Sequence, residues 1–404
     1  MLHPITHSLF RHTLFSYAFR PFFLLAAIYA LLPIVFWVLV FSNTLPFPAG
    51  INIISWHFHE LIFGFVSAAI TGFVLTAVCN WTGAKPLCGV KLAALAMLWI
   101  AGRVAIFILL IKPTSGIAFI LLAAIDLSYI PILAIILARI LIQHQNQRNL
   151  KLVLILAGLF TANTMIYIGL FENNAAWLTK GKVLAFDIVT AMSCLVAGRI
   201  TPVFSKNWLR AQGRKVESVK EFAALNYIAL GSLALLIPAN LFITNTILLM
   251  SLTFIAAISN AIRLGFWATW SIKGEPLLWS LHLAYAGFVV TLLLKAFTLM
   301  DFGLSPSIWQ HTLGLAGIVS LIFAVMTRVS LGHTGRPLKL MRFGVFIYLC
   351  IIATVILRLA ATLEWLDFQL ALQLAATTWS AACVLFLVLY SPILLTPRPD
   401  ERPG

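Results

Sequence analysis

About twelve uninterrupted apolar runs, each roughly 20 residues long, fill most of this chain, and that is the length a helix needs to cross the hydrocarbon of a bilayer. They extend from Pro21 to Ser42, His57 to Cys79, Val90 to Ile111, Gly116 to Ile142, Leu150 to Leu170 and Lys182 to Phe204, then from Phe222 to Leu241, Thr244 to Trp267, Pro276 to Leu299, Ser307 to Ser330, Phe343 to Leu363 and Phe368 to Leu395. Hydrocarbon gives a bare backbone nothing to bond to, so each run must close its hydrogen bonds internally as a helix. A barrel would show short alternating segments instead. The expected fold class is all-α, a polytopic integral membrane protein, which fits 62% hydrophobic and only 10% charged residues among 404.

The chain carries 27 Lys and Arg against 12 Asp and Glu. In a soluble protein that excess would suggest nucleic acid, but here its distribution decides the meaning. Counting from the N-terminus, 20 of the 27 lie on alternate connections, which marks those faces as cytoplasmic and places both termini inside. No nucleic acid partner is expected; membrane lipid is. The opposite connections hold only Lys112, Lys180, Lys182 and Lys295, while Arg103, Arg199 and Arg358 fall inside spans.

Residues 1–404 read as one transmembrane domain, with residues 1–20 as an N-terminal cytoplasmic segment. A basic cytoplasmic loop, residues 205–221, carries Lys206, Arg210, Arg214, Lys215 and Lys220 between two six-helix halves. It reads as a topology signal touching anionic lipid. No motif of the first half recurs in the second, so a duplicated carrier gains no support. The first run lacks a small-residue cleavage site and is expected to be retained. Cys79, Cys88, Cys194, Cys350 and Cys383 are scattered without a CxxC pair, which indicates neither a disulfide framework nor a zinc ribbon.

Function must then reside in the few polar groups within the spans, because such groups are costly there. Trp56-His57-Phe58-His59-Glu60 places two imidazoles and a carboxylate at the outer edge of the second span. Positions two apart on a helix point about 200° from each other, so His57 and His59 serve different sites. His311, about one turn into the tenth span from the same side, is at a depth to meet either. Two histidines at equal depth suit an axially ligated haem and three suit copper; interfacial histidines beside a tryptophan belt are the plainer alternative. Glu60 either orients a ligating imidazole or faces water.

At the inner face lie His282, early in the ninth span, and His333, in Ser330-Leu331-Gly332-His333-Thr334-Gly335-Arg336-Pro337. Arg20 and Arg336, each next to a proline, are suited to grip carboxylates such as haem propionates. Arg103 and Asp126 come to matched depth across one hairpin and are expected to pair. Asp187 has no obvious partner: it either shares that arginine or carries a proton, and Arg199 lies too far along the helix. Glu60, Asp126 and Asp187 are the acidic groups within the spans that a proton-consuming reaction could draw on. His3, His7 and His12 read as a solvated tail rather than a metal tract.

Taken together, Ser16-Tyr17-Ala18-Phe19-Arg20-Pro21-Phe22-Phe23, Trp56-His57-Phe58-His59-Glu60, Asn80-Trp81-Thr82-Gly83, Gly198-Arg199 with Pro202 and Phe204, and Leu331-Gly332-His333-Thr334-Gly335-Arg336-Pro337-Leu338 resemble the NnrS family over nearly the whole chain. The resemblance implies a bacterial inner-membrane protein containing haem and copper, linked to nitric oxide and to resistance against nitrosative stress. His-Phe-His also looks like the haem-holding motif of haem-copper oxidases, although this chain has no adjacent His-His pair. The expectation is therefore a haem- and copper-binding protein that handles nitric oxide or nitrosyl species, in exchange with a redox partner if it turns them over. Its ligands are expected among His57, His59 and His311 outside, which are also the metal candidates, and His282 and His333 inside. A secondary transporter of a metal complex or small anion, and a membrane cofactor-delivery factor, are the rival readings.

Overall fold

The computed structural model describes residues 13–400; His3, His7 and His12 lie outside them. Among the described residues there is no strand, and twelve helices are long and apolar enough to cross a membrane. They are α1 (Phe19–Phe41), α2 (Ile53–Thr82), α3 (Gly89–Ile111), α4 (Gly116–Gln143), α5 (Gln147–Phe171), α6 (Ala175–Ala211), α7 (Ala223–Phe242), α8 (Thr246–Gly265), α9 (Pro276–Leu299), α10 (Ser307–His333), α11 (Val345–Thr362) and α12 (Phe368–Leu395). The chain is a multi-pass membrane protein.

Helix ends depart from the hydropathy boundaries where polar residues extend a helix past the apolar run. The Asn52 side chain accepts hydrogen bonds from the N–H groups of Ile54 (2.9 Å) and Ser55 (3.1 Å), so α2 starts earlier and His57 is more than a turn inside it. Asn174 does the same for α6 through the N–H of Ala176 at 3.0 Å. That helix runs on to Ala211, so the basic segment 205–221 begins as helix. Lys295, counted in the sequence with an outer connection, lies within α9. Hydropathy marks where hydrocarbon is, whereas caps decide where helix is.

By packing, the chain divides into two compact units. One comprises Met1–Ala185, Val329–Leu338 and Cys383–Gly404; the other comprises Phe186–Arg328 and Lys339–Ala382. In the first, α1 packs on α2, α3 forms a hairpin with α4, and the later part of α4 packs on α5. Phe19, Phe22 and Phe23 of α1 are wholly buried. In the second, α7, α8 and α9 pack in series and α9 lies along α10.

The structure also corrects the expectation that nothing recurs along the chain. His59 and His311 each stand one residue before a π-helical stretch, Glu60–Val66 in α2 and Thr312–Val319 in α10. At equal spacing from those histidines come Thr82-Gly83 and Thr334-Gly335. Each threonine hydroxyl donates at 2.6 Å to the carbonyl four residues back, and each glycine closes the helix in the left-handed region, at φ 71° and 68°.

The neighbouring helices follow suit. Gly89-Val90 and Arg103 of α3 match Gly344-Val345 and Arg358, which lead into and occupy α11, again at equal spacing. Leu122-Ala123-Ala124-Ile125-Asp126 of α4 matches Leu374-Ala375-Ala376-Thr377-Thr378 of α12 in its first three residues, three positions nearer to the arginine. So few shared residues are lost among interchangeable aliphatic side chains until the two distorted turns and the two caps set the register.

Candidate functional site

In the first unit, α2 to α5 bring a set of charged side chains together in a dry interior. Glu60 and His59 are wholly buried, Asp126 is 2% exposed and Arg103 is 6% exposed. Arg103 and Asp126 pair as the matched depth predicts, and Arg103 also donates to Glu60 at 2.6 Å. Glu60 therefore does not face water. Its other oxygen accepts from the Tyr29 hydroxyl, and Tyr167 donates to Asp126 at 3.1 Å. The Arg103 guanidinium lies over the rings of Tyr29 and Trp99, at 5.9 and 5.7 Å. Gly102 makes the approach of α4 feasible, since a Cβ there would sit 2.7 Å from an Asp126 carboxylate oxygen.

His59 is part of this set. Its Nδ1 faces Glu60 at 2.7 Å, and its Nε2 faces the Asn163 side-chain oxygen at 2.9 Å and Asp126 at 3.2 Å. The Asn163 amide is oriented by donating its own N–H to Asp126 at 3.0 Å. Both ring nitrogens thus face oxygen acceptors and are spent as donors, so neither offers a lone pair to a metal. Two carboxylates are balanced by a guanidinium and an imidazolium, since both ring nitrogens donate, and the cluster satisfies itself.

The other polar groups of this unit are arranged differently. His57 is half-buried and its ring is tilted 30° against that of Trp37, centroids 4.8 Å apart. Arg20 is wholly buried and donates to the carbonyls of Leu394 (2.7 Å) and Thr396 (2.9 Å), capping the end of α12. Arg336 reaches the Thr396 hydroxyl at 3.1 Å. The His333 ring lies 5.7 Å from that of Phe19. Its backbone carbonyl accepts from Arg398 at 3.0 Å, a guanidinium raised above its ordinary pKa by its hydrogen bond to Asp400.

In the second unit, His311 occupies the position that corresponds to His59, with different surroundings. Its Nδ1 lies 2.8 Å from the Ser307 carbonyl oxygen and 3.0 Å from the Ser307 hydroxyl. A carbonyl only accepts, so Nδ1 carries the hydrogen and a neutral ring presents its lone pair at Nε2. Where α2 has Glu60, α10 has Thr312, and where α4 has Asp126, α12 has Thr378. The charge of Arg358 acts on His311, yet Arg358 itself donates to the Thr362 hydroxyl at 2.7 Å, and no carboxylate among the described residues pairs with either.

His282 is closed in its own way. Ser205 gives its hydrogen to the Thr201 carbonyl at 2.9 Å and so accepts from His282 Nε2 at 3.0 Å. That leaves Nδ1 to accept from the Thr269 hydroxyl at 2.9 Å, and no lone pair remains. Asp187 pairs with Lys295 of α9 at 2.9 Å, rather than sharing Arg103. Asn240 of α7 donates to its second oxygen at 2.7 Å.

Sequence reasoning missed Asn163, Tyr29 and Tyr167, which complete the first cluster, and Lys295 and Asn240, which hold Asp187. An asparagine in the middle of an apolar run was the available signal for Asn163. Among the described residues, no group of three or more His, Cys, Asp and Glu is placed to hold a metal ion, so a three-histidine copper site does not emerge from them. As arranged, His59 and His282 do not fit an iron or copper, whereas the fixed tautomer of His311 does. A family model described as NnrS protein matches residues 13–398. Comparison with curated proteins finds no match.

Proposed function

Because the chain belongs to the NnrS family, and so in general terms to the membrane proteins of the nitric oxide response, we propose that it holds haem and copper in a bacterial inner membrane and there handles nitric oxide or metal-nitrosyl species, with His311 as its principal ligand. One observation carries the choice of residue. The Ser307 carbonyl fixes the His311 ring through Nδ1, as ligating histidines are commonly oriented, and leaves Nε2 for a metal. The π-helical stretch that follows it is a distortion often found at functional sites.

His57, packed against Trp37, and His333, beside Phe19, are the next ligands to consider, since both rings lie against aromatic side chains whereas that of His59 lies between Glu60 and Asp126. A bound haem iron or copper would supply the coordination position for nitric oxide. The protein's own groups orient the ligating ring and, through Glu60, Arg103 and Asp126, keep a rigid interior in the first unit.

Haem and metal analysis per polypeptide of the detergent-purified chain tests the reading. Both cofactors are expected, with a Soret band lost in His311→Ala and retained in His282→Ala. Absence of any chromophore or bound metal after expression with ample haem and copper would overturn it and favour a transporter.

A further inference from the structure

Arg263, in the last turn of α8, is 4% exposed, and its partners are neutral. Among the described residues no carboxylate pairs with it. Its Nη1 donates to the Tyr285 hydroxyl at 2.9 Å and, over a longer distance, to the Cys194 carbonyl at 3.4 Å. The rest of the guanidinium is unused. Nε is buried without a hydrogen-bond partner, and Nη2 has none among the described residues. An arginine carries five N–H groups, and here the three on Nε and Nη2 are left over.

The orientation is built in. The Tyr285 hydroxyl gives its own hydrogen to the Asn260 side-chain oxygen at 2.5 Å, and the Asn260 amide donates to the Ala256 carbonyl at 2.8 Å. Tyr285 and Asn260 are both wholly buried, so the Nη1 end is fixed and the opposite edge keeps a constant direction. The guanidinium lies 5.4 Å from the Trp267 ring centroid and 5.9 Å from that of Tyr285. Gly198 of α6 admits it, since a Cβ there would overlap the guanidinium.

A cation buried without a counter-charge is costly, and arginine cannot escape the cost by losing its proton. Arg103 meets it with Glu60 and Asp126, and Lys295 meets it with Asp187. Arg20 meets it with the carbonyls that end α12. Arg263 does none of these. The last turn of a helix favours a cation, but that effect is smaller than the desolvation it would have to offset.

We propose that Arg263 anchors a small-anion site, in which its free Nε and Nη2 grip a monovalent planar oxyanion of the nitrite, nitrate or formate type. Those two nitrogens form the fork that takes two oxygens of one ion in parallel hydrogen bonds. A single negative charge matches a single unpaired guanidinium, whereas a divalent ion would leave an excess charge buried. A halide meets the fork as a point charge and gains less from it. The site shares no residue with the ligands proposed for haem and copper, so the two readings stand or fall separately.

Calorimetric titration of the full chain, purified in detergent without haem or metal, tests this with sodium nitrite, nitrate and formate, chloride being the background salt so that selectivity over a halide is read directly. Saturable binding of one ion per chain is expected. Arg263→Lys keeps the charge but lacks the fork, and is expected to stay folded in thermal melts while binding about tenfold more weakly or worse. Tyr285→Phe releases the Nη1 end and is expected to weaken binding several-fold. Arg139→Gln, which changes an exposed arginine of α4, is expected to bind as wild type. No saturable binding of any of the three ions, wild-type affinity in Arg263→Lys, or an equal loss in Arg139→Gln would overturn the proposal. If Arg263→Lys does not purify folded, unchanged affinity in Tyr285→Phe overturns it instead.

Discussion

Helices α2 to α4 and α10 to α12 place a histidine, an arginine and a glycine cap at corresponding positions and then diverge in what surrounds them. Around His59 and Arg103 stand Glu60 and Asp126, every ring nitrogen of the histidine is used, and the charges cancel within the protein. Around His311 and Arg358 the corresponding positions are Thr312 and Thr378, and the imidazole keeps a lone pair. One framework therefore yields a sealed electrostatic core in one place and, in another, a histidine whose Nδ1 is tied to a backbone carbonyl. The difference lies in Glu60, Asp126 and Asn163, since oxygen acceptors facing both ring nitrogens make an imidazole a hydrogen-bond donor on each side.

The sharpest way to break this comparison is to remove each arginine. Arg103→Gln leaves two buried carboxylates without their main counter-charge and is expected to cost about 3–5 kcal/mol, read as a large fall in melting temperature or failure to purify folded protein. Arg358→Gln, half-buried and without a carboxylate partner, is expected to change stability by less than about 1 kcal/mol. Equal losses in the two variants would erase the distinction.

The histidines sharpen it next. His59→Gln is expected to lower stability by about 1–3 kcal/mol, the cost of leaving buried acceptors unmade, while haem content per polypeptide stays at the wild-type level. His311→Gln is expected to do the reverse, losing chromophore with little change in melting temperature. A chromophore that vanishes with His59 and survives loss of His311 would reassign the ligand.

The smallest effect probes the shared register itself. Gly83→Ala and Gly335→Ala each force a side chain into the left-handed region, at about 1–2 kcal/mol. Gly335→Ala is expected to cost at least as much as Gly83→Ala, because its added Cβ also meets Arg398 and Asp400 at 3.1 Å while that at Gly83 meets nothing within 4 Å. A neutral result at either cap in thermal melts would undo the equivalence.

Some of the site was legible before any fold was known. Arg103 and Asp126 flank a single tight hairpin, so equal distance from the turn brought them level. Asp187 was not legible in that way, because its lysine is 108 residues away and its register against α9 is set by how α6 and α9 pack. The same holds for His59, whose second nitrogen meets Asn163 from 104 residues away, and for Arg20, which caps a helix more than 370 residues on. Its charge and its proline neighbour gave no hint of that task.

The sequence by itself determined that this chain crosses a membrane in twelve helices, because hydrocarbon forces each long apolar run to satisfy its own backbone, a local requirement that any run of sufficient length reveals. Only the tertiary structure decided which histidine keeps a lone pair and which buried charge finds which partner. Those outcomes depend on side chains from helices distant in sequence meeting within about 3 Å, and hydropathy, which records how apolar a stretch is, carries no information about which of its faces meets which neighbour.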